Sequence, residues 1–208
     1  MLLGKEKRVE RIKTKAIKDN VPIIMDDTIE VIRDRIASKK CERILEIGTA
    51  VGYSAILFTE FLENKKEKNH AQIDTIERNP DMIKKAKKNL KHYKDKINLF
   101  EGDAVEVLKT LEETNKKENI KYDMIFIDAA KSKYPIFLDY SLRMLKKDGI
   151  IFADNVLYKG YVLSDYNKHK QRTAVTHLRE FLRMCQEDTR LDTEILDTGD
   201  GLAIIKFK

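Results

Sequence analysis

Two short stretches carry the densest potential chemistry. Ile127-Asp128-Ala129-Ala130-Lys131 and Ala153-Asp154-Asn155 each close an apolar run that reads as a β-strand. If those strands are neighbours, Asp128, Asp154 and Asn155 converge as three hard oxygen ligands. Such a set suits Mg²⁺, Mn²⁺ or Ca²⁺, with water and substrate completing the shell. Taken singly, each is an ordinary cap or turn residue. Two such ends on adjacent strands weaken that plainer reading.

Three further positions follow strands. Glu46-Ile47-Gly48 leads into Gly52-Tyr53-Ser54, where glycine lets backbone approach a ligand and a helix N-terminus offers free N–H donors. The spacing is neither G-x-G-x-x-G nor a P-loop, so hydride transfer and nucleotide hydrolysis lose support. Glu77 ends the next strand, where a carboxylate can accept from both hydroxyls of a ribose; the plainer reading is an acid at a helix entry before Pro80, and the spacing from Gly48 favours the ribose. Asp103, followed by Ala104, could read an adenine amino group or cap a helix. The four histidines show no metal-ligand spacing, and Cys41 and Cys185 lack a supporting acid–base pair.

These residues need a scaffold that gathers strand ends. Residues 43–48, 71–77, 97–100, 122–127 and 149–153 read as strands. Residues 53–62, 80–93, 104–111, 134–145 and 172–187 read as helices between and after them. Alternation of this kind implies an α/β fold with a parallel sheet covered on both faces. Residues 194–196 and 202–207 flank Thr198-Gly199-Asp200-Gly201, which reads as a terminal antiparallel hairpin. The first forty residues form helices ahead of this core, with Val9, Ile12 and Ala16 on one and Ile29, Ile32 and Ile36 on the next, capped by Asp26 or Asp27. No linker divides the 208 residues, so one domain is expected, 1–40 as N-terminal helices and 41–208 as the core.

Composition bounds the classes. Hydrophobic residues make up 42% and charged residues 37%, which excludes wholesale disorder and implies a dense Lys/Glu surface. Two cysteines make no disulfide framework. No apolar run reaches the roughly 18 residues of a membrane span, and no secretory signal is visible, so a cytoplasmic location is expected. The net charge is +6, compatible with an anionic partner or with a solvated Lys-rich face. Basic residues concentrate over 1–20 and 157–183, each carrying a local excess of four.

Taken together, LEIGTAVGYSA, TIERNP, GDA, IDAAK and ADN occur in an order and spacing that resemble the class I S-adenosylmethionine-dependent, metal-dependent O-methyltransferases, the family of catechol and caffeoyl-CoA O-methyltransferases. Within it, Val21-Pro22-Ile23-Ile24-Met25, IDAAKSKY, ADNVLYKGYV and TGDGLAIIKFK resemble the bacterial tRNA 5-hydroxyuridine methyltransferases, with a thinner basic run at Lys168-His169-Lys170-Gln171-Arg172. The resemblance implies a Rossmann-like fold of seven mostly parallel strands with helices on both faces and a C-terminal antiparallel hairpin. It implies S-adenosylmethionine and Mg²⁺ (or Mn²⁺ or Ca²⁺) as cofactors, tRNA at the anticodon loop as partner, and a homodimer. Residue by residue, it implies that Met25, Glu46, Gly48, Ser54, Glu77, Asp103, Ala104 and Asp128 bind the cofactor. Asp128, Asp154 and Asn155 would bind the metal, and Lys131 with Asp128 would be catalytic. Lys168, Lys170 and Arg172, in the basic run, would contact RNA phosphates.

Three functions compete on this basis. The expected one is methylation of 5-hydroxyuridine at the tRNA wobble position to 5-methoxyuridine. The alternative is a small-molecule catechol or caffeoyl-CoA type O-methyltransferase. The third is a non-catalytic nucleic-acid binder, which would have no need of Asp128, Lys131, Asp154 and Asn155.

Overall fold

The apolar runs read as strands after residue 42 all join one seven-stranded sheet. The computed structural model describes residues 2–37, 41–63, 72–165 and 171–208. Two helices lead, α1 (Leu2–Lys18) and α2 (Asp26–Ala37), joined side to side by Lys13 Nζ donating to Asp26 at 2.7 Å. Then follow β1 (Arg43–Ile47), α3 (Tyr53–Glu63), β2 (Gln72–Glu77), α4 (Pro80–Asn89), β3 (Ile97–Glu101), α5 (Ala104–Glu118), β4 (Tyr122–Ile127), α6 (Tyr134–Met144), β5 (Leu145–Asp154), α7 (Arg172–Glu187), β6 (Leu191–Leu196) and β7 (Leu202–Phe207).

The strand order is β3-β2-β1-β4-β5-β7-β6. The first five strands in the chain pair parallel, and β7 runs antiparallel to both β5 and β6. The chain therefore builds outward from β1 in one direction and then from β4 in the other. Between those two strands the order reverses, and a crevice opens beyond their carboxyl ends.

Both faces of the sheet are covered, so β1 and β4 are apolar almost throughout. Ile44, Phe126, Phe152 and Ile204 face α2 and α3; Leu45, Ile125, Ile151 and Ile205 face α5, α6 and α7. On α7, Val175, Leu178, Leu182 and Cys185 recur every three or four residues and are buried. Each large side chain buried this way contributes about 1.5–3 kcal/mol over leaving it exposed. Cys41 and Cys185 are buried and not disulfide-bonded; burial pushes the Cys185 thiol up to about 12.

Four boundaries differ from the sequence reading by more than one residue. α5 continues to Glu118 and stops at Asn119, whose φ of +53° is a left-handed cap. Its second half hides only Asn115 and so lacks an apolar period. α4 tightens into a 3₁₀ turn at Leu90–His92, where Tyr93 N–H bonds Leu90 O. β5 begins at Leu145, because that residue pairs with Tyr122 before a register shift. β6 begins at Leu191, paired with Phe207. No described helix is long and apolar enough to cross a membrane.

Candidate active site

A cavity of about 230 Å³ opens at the crevice, lined among others by Gly48, Ala50, Glu77, Asp103, Ala104, Asp128 and Phe137. Its floor depends on Gly48. The N–H of Gly48 bonds Ile76 O at 3.1 Å, and Asp128 N–H bonds Ile47 O at 3.0 Å. The ends of β1, β2 and β4 are thus laced together. A Cβ on Gly48 would lie 2.0 Å from Asp128 O, and φ is +108°. Only glycine allows this approach.

Glu77 closes one side. Its Oε2 accepts from Ala50 N–H at 2.8 Å; its Oε1 accepts from the N–H groups of Arg78 and Asn79 at 2.9 and 2.8 Å. The carboxylate thereby holds Ala50 in the left-handed region, at φ +45°. Three of its roughly four lone-pair sites are used, leaving the remainder toward the cavity it lines. Asp103 takes the capping role and also lines the cavity. Its Oδ1 caps α5 by accepting from Val105 N–H at 3.0 Å, while the side chain lines the cavity and Arg78 approaches at 3.5 Å. Ala104 follows as the first residue of α5.

Glu46 lies under the floor rather than in the cavity. It is fully buried, and its two oxygens accept from the hydroxyls of Ser54 and Thr75. Thr75 spends its proton on Glu46, so Thr49, 2.5 Å away, donates to Thr75. Burial pushes the Glu46 carboxyl up to about 7; the two hydroxyl hydrogen bonds oppose this, and the charges of Asp128 and Glu77 add to it. The folded chain therefore binds this proton more tightly than the unfolded chain, whose carboxyl titrates near 4.5. Stability falls as pH rises from about 4.5 to about 7 and is level above that. Glu46→Gln is expected to remove up to about 1.4 kcal/mol per pH unit of this slope. Urea unfolding of both proteins at pH 5 and pH 7.5 measures it, and identical slopes would show that Glu46 does not titrate in that window.

β4 and β5 place the second group. Lys131 Nζ donates to Asp128 Oδ1 at 2.8 Å and to Tyr134 OH at 2.9 Å. Tyr134 is fully buried and donates its proton to Asp154 O at 2.7 Å. Asp154 Oδ1 accepts from Asn155 N–H at 2.7 Å. No described residue donates to Asp154 Oδ2 or bonds the Asn155 side chain. Burial first, then repulsion from Asp128, pushes the Asp154 carboxyl up to about 7. Two close carboxylates with acceptor capacity to spare, beside an amide, fit a hard divalent cation. Lys131 departs from the expectation of a poised base. Burial pulls its pKa down, but the Asp128 charge and the hydrogen bonds to Asp128 and Tyr134 more than offset this and hold the amine protonated.

The sequence pattern of the O-methyltransferase family matches residues 10–208. The chain belongs to this family. A catechol O-methyltransferase of Niastella koreensis is 31% identical over 80% of this chain and 75% of its own length. A solved Staphylococcus aureus protein, provisionally named a caffeoyl-CoA O-methyltransferase, shares 32% identity with a TM-score of 0.84 over 96% of this chain and 92% of that one. The Podospora anserina methyltransferase PaMTH1, solved with bound SAH, shares 30% identity with a TM-score of 0.76 over 98% and 87%.

Not every expected residue of this O-methyltransferase joins the cavity. Met25 is 52% exposed ahead of α2, beside the hairpin turn at Gly199, and is absent from the lining. Lys168 and Lys170 lie outside the described residues. Arg172 is exposed at the start of α7. Two other basic residues of the 157–183 stretch are engaged within the chain. Arg179 donates to the carbonyls of Val162, Tyr161 and Ser164, and Arg183 pairs with Glu187. Sequence reasoning missed Tyr134, Thr75 and Arg78. Tyr134 stands at the N-terminus of α6 before Pro135, which marks a helix start but gives no sign of the bond to Asp154 O.

Proposed function

We propose that this O-methyltransferase moves a methyl group from S-adenosylmethionine to one hydroxyl of a small catechol-type acceptor that carries two adjacent oxygens. The observation that carries this reading is that Asp128 and Lys131, just after β4, stand next to Asp154 and Asn155 at the end of β5, beside a cavity that Glu77 closes. The donor supplies an electrophilic methyl carbon on a sulfonium, attacked in line. Glu77 would take a ribose hydroxyl with its remaining acceptor site, and Asp103 with Ala104 would face the adenine. Gly48 would let the donor approach the backbone, over the Glu46–Ser54 pair.

Asp128, Asp154 and Asn155 would hold a divalent cation, which when bound lowers the pKa of an acceptor hydroxyl and fixes its oxygen. Lys131 is the chain's candidate proton acceptor. Asp128 and Tyr134 orient its Nζ, and any relief of the Asp128 charge loosens its hold on the proton.

The tRNA wobble reading rests on the subgroup motifs and on the basic run. Arg172 supports it by its exposure; the engagement of Arg179 and Arg183 weighs against a free phosphate-binding face. The relatives named for catechol and caffeoyl-CoA favour the small acceptor. A cytoplasmic homodimer is part of the proposal under either reading.

Methyl transfer from labelled S-adenosylmethionine to 3,4-dihydroxybenzoate and to tRNA carrying 5-hydroxyuridine separates them. Turnover of the catechol is expected, with neutralisation of Lys168, Lys170 and Arg172 leaving it unchanged. Turnover of tRNA alone would overturn the reading. In that case the same variant should flatten the salt dependence of tRNA binding by a slope of roughly 0.7–0.9 per lost phosphate contact.

A further inference from the structure

The β6–β7 turn does more than close a hairpin. Asp200 touches the segment that follows the candidate metal ligands at three points, and Gly201 touches it at a fourth. The Asp200 carbonyl accepts from Leu157 N–H at 3.0 Å and Tyr158 N–H at 3.3 Å, its Oδ1 accepts from Lys159 N–H, and the next carbonyl, Gly201 O, accepts from Val156 N–H at 2.9 Å. On its other side the turn reaches α2, where Gly199 N–H bonds Asp27 Oδ2 at 3.0 Å.

The segment that Asp200 holds is unusual. Asn155, Tyr158 and Lys159 have φ of +59°, +44° and +58°, and Gly160 follows at +72°. Non-glycine residues leave this region unless the surroundings hold them there. Asp200 supplies that restraint from one side. Arg179 supplies it from the other, through the carbonyls of Tyr161, Val162 and Ser164. Between the two anchors, Tyr158 and Tyr161 pack edge to face with centroids 6.0 Å apart. Space also enforces the contact. A Cβ on Gly201 would lie 2.3 Å from Leu157 Cγ, so the turn and the loop are in intimate contact.

We propose that Asp200 is a positioning residue for the acceptor: it holds residues 157–159, with Tyr158 and Lys159 in the left-handed region, and so sets Asn155 and the Tyr158–Tyr161 pair beside Asp154. The inference rests on the reading that the acceptor binds at the β5 end. Asp200 acts through the loop and touches no reacting atom. Its partner is a backbone N–H, so an amide oxygen can replace the carboxylate there. A merely acidic requirement would not tolerate that replacement.

The test compares Asp200→Ala with Asp200→Asn in the full chain, using 3,4-dihydroxybenzoate as acceptor. Asp200→Ala should raise the acceptor KM by about tenfold, the effect of one lost hydrogen bond to a charged group. The Kd for S-adenosylmethionine should stay within about twofold, because the cavity residues are untouched. Amide hydrogen exchange over residues 156–162 should quicken in the same variant, and Asp200→Asn should restore both. Unchanged exchange in Asp200→Ala, or equal losses for acceptor and donor, would overturn the proposal. If wild-type protein methylates no catechol, the functional reading fails by itself; the exchange comparison then decides the loop's restraint alone.

Discussion

Asp154→Ala is expected to lower kcat/KM at least ~100-fold, the scale of the several kcal/mol that a bound cation contributes to such a transition state. The fold should survive. Asp154 is 2% exposed, and its carboxyl is pushed up to about 7 by burial and by Asp128, so without a cation the charge destabilises the folded chain. The melting temperature in chelator should therefore equal or exceed that of the wild type. The two proteins should separate when Mg²⁺ is added. A cation at 100 times its Kd stabilises by about 2.7 kcal/mol, so the wild type should melt higher with Mg²⁺ and the variant should not. Full activity of Asp154→Ala in chelator-treated protein would remove the cation from the mechanism.

Glu77→Ala should weaken S-adenosylmethionine binding by roughly 1.5–3 kcal/mol, the worth of a charge-assisted hydrogen bond. It should also cost stability, since the N–H groups of Ala50, Arg78 and Asn79 lose their acceptor. Glu77→Gln should not rescue it. One end of the carboxylate serves Ala50 and the other serves Arg78 and Asn79, so a glutamine must turn an NH₂ group toward an N–H on one side. Both variants should show raised donor Kd by calorimetry with acceptor-independent character. Unchanged donor affinity in Glu77→Ala would reject the ribose role.

Much of this architecture is legible in the chain before it folds. The strands at 43–47, 122–127 and 202–207 are short apolar runs bounded by Gly, Asp or turn residues, and from β1 to β5 the spacing between consecutive strands leaves room for single helices. That pattern determines a parallel sheet, and a parallel sheet determines that chemistry gathers at strand ends. Gly48, Glu77, Asp103, Asp128 and Asp154 are recognisable for this reason: each stands just beyond an apolar run. Their gathering needs only the strand order, which the reversal between β1 and β4 supplies.

What the tertiary structure alone decided are the contacts between residues far apart in the chain, which leave no period in the sequence. Thr75 turns toward Glu46 across 29 residues because β1 and β2 pair in register. Tyr134 reaches Asp154 O across 20 residues because α6 packs over the junction of β4 and β5. The state of Lys131 follows from that packing: alone it is an amine three residues after an aspartate, and between Asp128 and Tyr134 it is a held ammonium. Asp200 shows the same limit, since its hairpin signature specifies a turn but not the backbone 41 residues away that the turn grips. Local periodicity records which face of an element is buried; it does not record which polar atom the opposite element brings to meet it.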